Sequence, residues 1–273
     1  MKKILLYAMA TMALVGCKEN FSEQNINADM GRIAIDFSTS GEVATRADEG
    51  ITLTNLPTAA DFALKITGSA SDAVTSSFSK EWSSFAGYNY EEERLFHGLY
   101  DVTLTYGDPA VEGYDKPAFA ASATEVEVEN KNKTTTLPMT ATLANAIVTI
   151  RTTDNFNGYF PKSKFSITTA TDTYEFEKKN TSHLFIAPQQ NVKINCSCVR
   201  QNNLANDTYE TLAPQTIPSV VAKTRYVVTY DLTTAGSVTI TVTLNETPLA
   251  TEVIDTEINP NASQLELIKY DKL

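Results

Sequence analysis

Apolar residues alternate with polar ones along most of this chain, and the period is two. Ile33, Ile35 and Phe37 hold alternate places in one run, Phe62, Leu64 and Ile66 in a second, and Val102, Leu104 and Tyr106 in a third. Val126 and Val128 follow, then Ala146, Val148 and Ile150, then Phe165 and Ile167, then Tyr174 and Phe176. Val192, Ile194 and Cys196, Val227 and Thr229, and Val238, Ile240, Val242 and Leu244 complete the series. A strand sends successive side chains to opposite faces, so this spacing predicts half-buried β-strands. Threonine is abundant inside the runs and Gly, Asn, Asp and Pro stand between them, the composition of antiparallel sheet closed by short turns. Residues 154–161 (DNFNGYFP) depart from the pattern and predict one helical turn, capped by Asp154 and ended before Pro161.

So many short strands exceed what one twisted sheet holds, which points to β-sandwiches. The 273 residues accommodate two of them, and the expected fold is all-β, two tandem antiparallel sandwiches over residues 31–143 and 144–273. No flexible linker separates them. The stretch around Thr140–Asn145 ends one run and begins the next, which makes the pair a stiff rod.

The first residues do not belong to either sandwich. Lys2 and Lys3 precede an apolar run from Ile4 to Val15, which is too short for the ~20 residues of a membrane-spanning helix and reads as an export signal over residues 1–16. Leu14-Val15-Gly16-Cys17 resembles a bacterial lipobox, in which the cysteine sulfur is acylated and becomes the mature N-terminus. Several acyl chains, at ~0.8 kcal/mol per buried CH₂, hold a protein on a membrane without any spanning segment. Covalent lipid on Cys17 is the sole prosthetic group expected. Residues 17–30 are polar and without apolar period, a flexible tether. Lys18-Glu19 is similar to the short signals that send lipoproteins of the Bacteroidetes to the cell surface, so an outer-membrane lipoprotein exposed at the surface is expected.

Charge narrows the partners. The formal net charge is -11, with 33 acidic against 22 basic side chains, and losing Lys2 and Lys3 with the signal deepens the excess. Such a surface repels a phosphate backbone, so nucleic acid is excluded as a partner. Candidate chemistry is sparse. The chain has two histidines, His97 and His183, and no G-x-S-x-G, H-E-x-x-H or Walker pattern, so no enzyme is expected. Cys196-Ser197-Cys198 places two thiols on one strand face, but the side chains run parallel and only His183 stands near in sequence, short of a zinc framework. Asp108, Glu112 and Asp115 share one loop but lack the EF-hand order, and no metal site is expected. Phe78, Trp82, Phe85, Tyr88 and Tyr90 concentrate rings in one stretch. These either fill a core or present a platform for sugars, in which case Trp82, Tyr88 and Tyr90 are exposed and coplanar.

The run Leu95-Phe96-His97-Gly98-Leu99-Tyr100-Asp101-Val102-Thr103-Leu104, followed by Tyr106-Gly107-Asp108, resembles a strand motif of Bacteroidales fimbrillin-like surface lipoproteins. Gly113-Tyr114-Asp115-Lys116-Pro117-Ala118-Phe119 and Leu143-Ala144-Asn145-Ala146-Ile147-Val148-Thr149-Ile150 are similar to an uncharacterised lipoprotein family of gut Bacteroides. The resemblance implies transthyretin-like or immunoglobulin-like sandwiches and a fimbrial or adhesive role, with other pilus subunits or a host surface as partners. It also implies a processing site. Ala44-Thr45-Arg46-Ala47 follows the first strand, and in such fimbrillins a cut after Arg46, before Ala47, removes that strand so that a neighbour's strand can fill the place. Ile33, Ile35 and Phe37 would then each contribute ~1.5–3 kcal/mol of burial to the exchanged strand. The other reading leaves residues 31–38 as a permanent first strand. Gln264–Leu273 is either a donor strand or an ordinary closing one. The alternative to a fimbrial subunit is a glycan-binding outer-membrane lipoprotein that helps capture polysaccharide.

Overall fold

In the chain's first half, the alternating runs form β1 (Met30–Thr39), β2 (Glu42–Thr45), β3 (Ile51–Thr52), β4 (Ala63–Gly68), β5 (Ser79–Trp82), β6 (Leu95–Phe96), β7 (Gly98–Tyr106), β8 (Gly113–Tyr114), β9 (Phe119–Val128) and β10 (Thr134–Leu143). Then come β11 (Ala146–Thr152), α1 (Asp154–Tyr159), β12 (Lys162–Thr168), β13 (Thr173–Phe176), β14 (Leu184–Ile186), β15 (Val192–Val199), β16 (Glu210–Thr211), β17 (Gln215–Ile217), β18 (Thr224–Thr233), β19 (Val238–Leu244) and β20 (Thr247–Asp255). The structure is a computed structural model that describes residues 29–45, 51–176, 183–206, 208–233, 238–244 and 247–255. Cys17, Arg46, Ala47 and Gln264–Leu273 lie outside the described residues. The fold is nearly all β, as expected, and strand pairing starts at Met30, one residue inside the segment read as tether.

Three sheets account for the described strands. The first runs in the order β5-β4-β7-β9-β10-β1-β6. Ile33, Leu64, Ile66, Val102, Leu104 and Leu143 point from it into one hydrophobic cluster, joined by Phe62 from the turn before β4. A bulge on β9, where Thr124 and Glu125 stand opposite the single Asp101 of β7 and Glu125 takes a left-handed backbone conformation, bends this sheet around the cluster. The second sheet, β20-β19-β18-β11-β14-β8 with β2 joined to β18, faces the third, β13-β12-β15-β16 with β17 on β15. Ala146, Val148, Tyr226, Val228 and Tyr230 from one side meet Phe165, Ile167, Ile194 and Cys196 from the other, forming a second cluster.

Pairing is antiparallel in most places but not throughout. β1 lies parallel to β10, and β11 and β2 both lie parallel to β18. The two clusters also interlock across residue 143. Along β11 and β14, Ala146, Val148, Leu184 and Ile186 face one cluster while Ile147 and Phe185 face the other. All three residues of β14 are buried for that reason, since each of its faces serves a core. β8, from the first half of the chain, pairs with β14, and the backbone N–H of Asp115 donates to the His183 carbonyl at 3.1 Å.

Two local expectations change. Val227 and Thr229 were read as the inward residues of their strand, but Tyr226, Val228, Tyr230 and Leu232 are the buried ones. The segment TRYVVTYDLT carries apolar residues at both parities, and the phenyl area of the tyrosines outweighs the smaller valine and threonine in fixing which face turns in. The cap of α1 is Thr153, whose hydroxyl accepts from the Phe156 N–H at 3.3 Å, and Asp154 sits inside the first turn. Phe156 and Phe160 are thereby driven into the core.

Candidate functional site

The segment that sequence marks for exchange, Ile33, Ile35 and Phe37, is β1, and its seat is unusual. Eight consecutive residues, Arg32 to Thr39, are in register with Thr134 to Ala141 on one side. On the other side β6 pairs only with Met30 and Gly31. Beyond Gly31 that outer side carries no strand among the described residues. Ile33 is fully buried, whereas Ile35 and Phe37 are half-buried against the same cluster. The Phe37 ring meets Phe62 edge-on at 4.8 Å and Phe85 at 5.5 Å. Other contacts hold the strand there: the Tyr88 hydroxyl donates to the Ile33 carbonyl at 2.7 Å, and the hydroxyl of Thr39 donates to the Pro57 carbonyl at 3.2 Å. Burial and the nearby Glu93 push the Tyr88 phenol well above its usual range, so it stays a donor.

Glycines close both ends of the strand. A Cβ on Gly31 would stand 2.2 Å from the Glu129 carbonyl oxygen, and one on Gly41 would stand 2.5 Å from that of Leu53. The backbone therefore approaches its neighbours more closely than any side chain permits.

The aromatic stretch packs rather than displays. Phe78, Trp82, Phe85 and Tyr88 are half-buried on the first cluster. The Trp82 and Tyr88 rings meet at 75° with centroids 4.9 Å apart, so they are not coplanar, and Tyr90 alone of the trio is exposed. Trp82 is held by β5 opposite Leu64, and Lys80 sits over its ring at 5.0 Å. Of the two readings of this stretch the rings follow core packing, and Tyr88 turns inward to reach Ile33.

Cys196 and Cys198 are buried thiols on the core face of β15. In the acidic loop the Asp108 carboxylate accepts from the Ala110 N–H of its own turn at 2.8 Å, while Glu112 reaches across the chain. Its carboxylate accepts from the Thr169 hydroxyl at 2.5 Å, the Thr171 hydroxyl at 2.6 Å, the Ala187 N–H at 2.9 Å and the Gln190 side-chain amide. Those oxygens tie the loop before β8 to the second half of the chain. No cluster of three or more His, Cys, Asp or Glu stands ready for a metal among the described residues.

One place was missed entirely by the sequence. A cleft of about 540 Å³ opens beside the first cluster, bounded by residues 52–56, Tyr106, Asp115, Pro117, Phe119, His183 and Phe185. These come from four separate segments, so no local pattern announces them. Burial and the Arg225 charge lower the affinity of the His183 imidazole for a proton, with Asp115 acting in the opposite sense.

Fold and site together define an all-β protein of sandwich cores with an edge-lying first strand. The chain belongs to the DUF4493 family, a domain of unknown function whose pattern matches residues 29–260. No curated protein matches it. Among solved structures it is similar to a candidate cell adhesion protein from Parabacteroides distasonis, at 8% identity and TM-score 0.39 over 82% of this chain and 98% of that one. A candidate cell adhesion protein from Bacteroides fragilis gives 10% identity and 0.37 over 78% and 97%. A candidate polysaccharide-binding protein from Bacteroides thetaiotaomicron gives 8% and 0.35 over 84% and 99%.

Proposed function

We infer that this chain is a non-enzymatic, surface-exposed outer-membrane lipoprotein of adhesive or fimbrial type, anchored through acylated Cys17, in which β1 is an exchangeable strand. The observation that carries the reading is the seat of β1: eight residues in register with β10 on one side and a two-residue strand on the other. An edge-lying strand of this kind leaves or enters a sheet without unpairing any other long strand. Its departure would bare the β10 edge together with the pocket of Ile33, a template on which an incoming strand gains main-chain hydrogen bonds and ~1.5–3 kcal/mol from each fully buried apolar side chain. Parallel pairing matters here, because the acceptor edge then fixes the direction as well as the register of its occupant.

The processing site fits the same seat. Arg46 follows β2 directly in sequence, so a cut there severs the covalent link and leaves β1 and β2 held to the rest of the chain by strand pairing and packing alone. Limited digestion of the mature protein with a trypsin-like protease is expected to cut after Arg46 and to yield a ladder of oligomers on a native gel. Arg46→Ala is expected to stay monomeric under the same treatment, as is a form lacking Gln264–Leu273, the candidate donor. A chain cut at Arg46 that remains strictly monomeric contradicts the exchange. Anchoring has its own check: palmitate labelling of the wild type in its host, lost in Cys17→Ala.

A further inference from the structure

The cleft beside the first cluster is a polar, ring-walled recess to which neither the anchor nor the exchangeable strand gives any task. We propose that it is a binding site for an uncharged, hydroxyl-rich ring, a neutral pyranose at the end or branch of a glycan. The proposal goes beyond the strand-exchange reading and does not rest on it.

Size comes first. About 540 Å³ lies within the ~300–1,000 Å³ typical of ligand sites and accommodates one or two sugar rings. Composition is the second argument. Phe119 and Phe185, both buried, and Tyr106 and His183, both half-buried, supply four rings to its lining. The His183 and Phe185 rings stand 6.2 Å apart at 86°, and those of Tyr106 and Phe119 stand 6.4 Å apart. Polar groups of mixed sense surround them. Among the described residues, the side chains of Asn55, Tyr106, Asp115 and His183 have no hydrogen-bonding partner in the protein, in contrast to Glu112 nearby, whose oxygens are saturated.

The senses of those groups select the ligand. A sugar hydroxyl both donates and accepts, and so do the amide of Asn55, the phenol of Tyr106 and a neutral imidazole, while Asp115 accepts from two adjacent hydroxyls. An anion meets the Asp115 carboxylate. A quaternary ammonium would find that carboxylate and rings, but also the positive charge of Arg225, close enough to act on His183. A purely apolar ligand would leave the four unpartnered polar groups dry. Asn55 and Asp115 both lie at positive φ, 58° and 54°, a backbone conformation that Asn and Asp tolerate better than most residues.

The test uses the mature chain and a panel of methyl pyranosides of glucose, galactose, mannose and N-acetylglucosamine, with tetramethylammonium and glucuronate as charged probes. Saturation transfer from the protein to at least one neutral pyranoside is expected, with Kd in the millimolar range. His183 ring signals are expected to shift on titration; the chain has two histidines, so His183→Gln identifies them. Asp115→Asn, which keeps a residue tolerant of positive φ, is expected to weaken binding about tenfold with an unchanged melting temperature. Tyr106→Phe serves as the second variant. No transfer to any neutral pyranoside overturns the proposal. So does binding indifferent to both variants, or binding of tetramethylammonium or glucuronate alone.

Discussion

Glu112 illustrates how far a single side chain departs from what its local sequence says of it. Within the chain it is one of three acids in a loop, which reads as a solvated or cation-binding run. Its partners lie 57 to 78 residues away and include a backbone N–H that has no other use. Nothing local distinguishes it from Asp108 because donors at that separation leave no mark on the sequence. Removing the carboxylate strands the Ala187 N–H, so Glu112→Ala is expected to lower stability by ~1–3 kcal/mol in urea unfolding, while Asp108→Ala changes little. His183 makes the second prediction at this scale. Its folded affinity for a proton is depressed below the ordinary 6.5, by burial first and by Arg225 second. As pH falls, the unfolded chain takes up the proton before the folded one does. The His183 contribution is therefore constant above 6.5 and turns against folding as pH drops through the depressed folded value. His183→Gln is expected to flatten that part of the stability-against-pH curve, and an unchanged slope would show that the imidazole is not held as described.

At the scale of elements, alternation in sequence located most strands, because burial on one face imposes period two wherever a strand meets a core. It failed in instructive places. In β18 both parities are apolar, so the face was misjudged by one residue. In β14 the run of three apolar residues reflects two cores, one on each side, and period two had nothing to say. Parallel pairing of β1 with β10 was invisible, since a strand's pattern records its faces and not its neighbours, and the partners are about a hundred residues apart. The same contacts give measurable expectations. Gly31→Ala places a carbon where the Glu129 carbonyl stands, and it is expected to loosen the start of β1, seen as faster amide exchange over residues 31–35 than in the wild type. Ile33→Ala, which empties a fully buried site, is expected to cost ~2–5 kcal/mol in chemical denaturation, and Ile35→Ala less because that side chain is half-exposed.

Taken whole, the molecule couples its halves through more than the two-residue connector Ala144–Asn145 between β10 and β11. β8 pairs with β14, β2 pairs with β18, Glu112 reaches Thr169 and Gln190, and the Tyr114 hydroxyl donates to the Glu175 carbonyl at 2.8 Å. The missing linker was legible in the sequence, but these ties were not, because each of them joins distant segments. One calorimetric transition is expected for the wild type, with Glu112→Ala broadening it. The central claim concerns β1, whose exchange would turn a monomer into a link in a chain, and it is tested most directly by fixing that strand in place. Ser38 and Thr140 face each other with their hydroxyl oxygens 2.9 Å apart, on exposed positions of β1 and β10. In a Ser38→Cys, Thr140→Cys variant, oxidation staples β1 to β10 across the acceptor edge. After cleavage at Arg46 the reduced protein is expected to form oligomers on size-exclusion chromatography and the oxidised protein to remain monomeric. Equal assembly by both forms would contradict strand exchange.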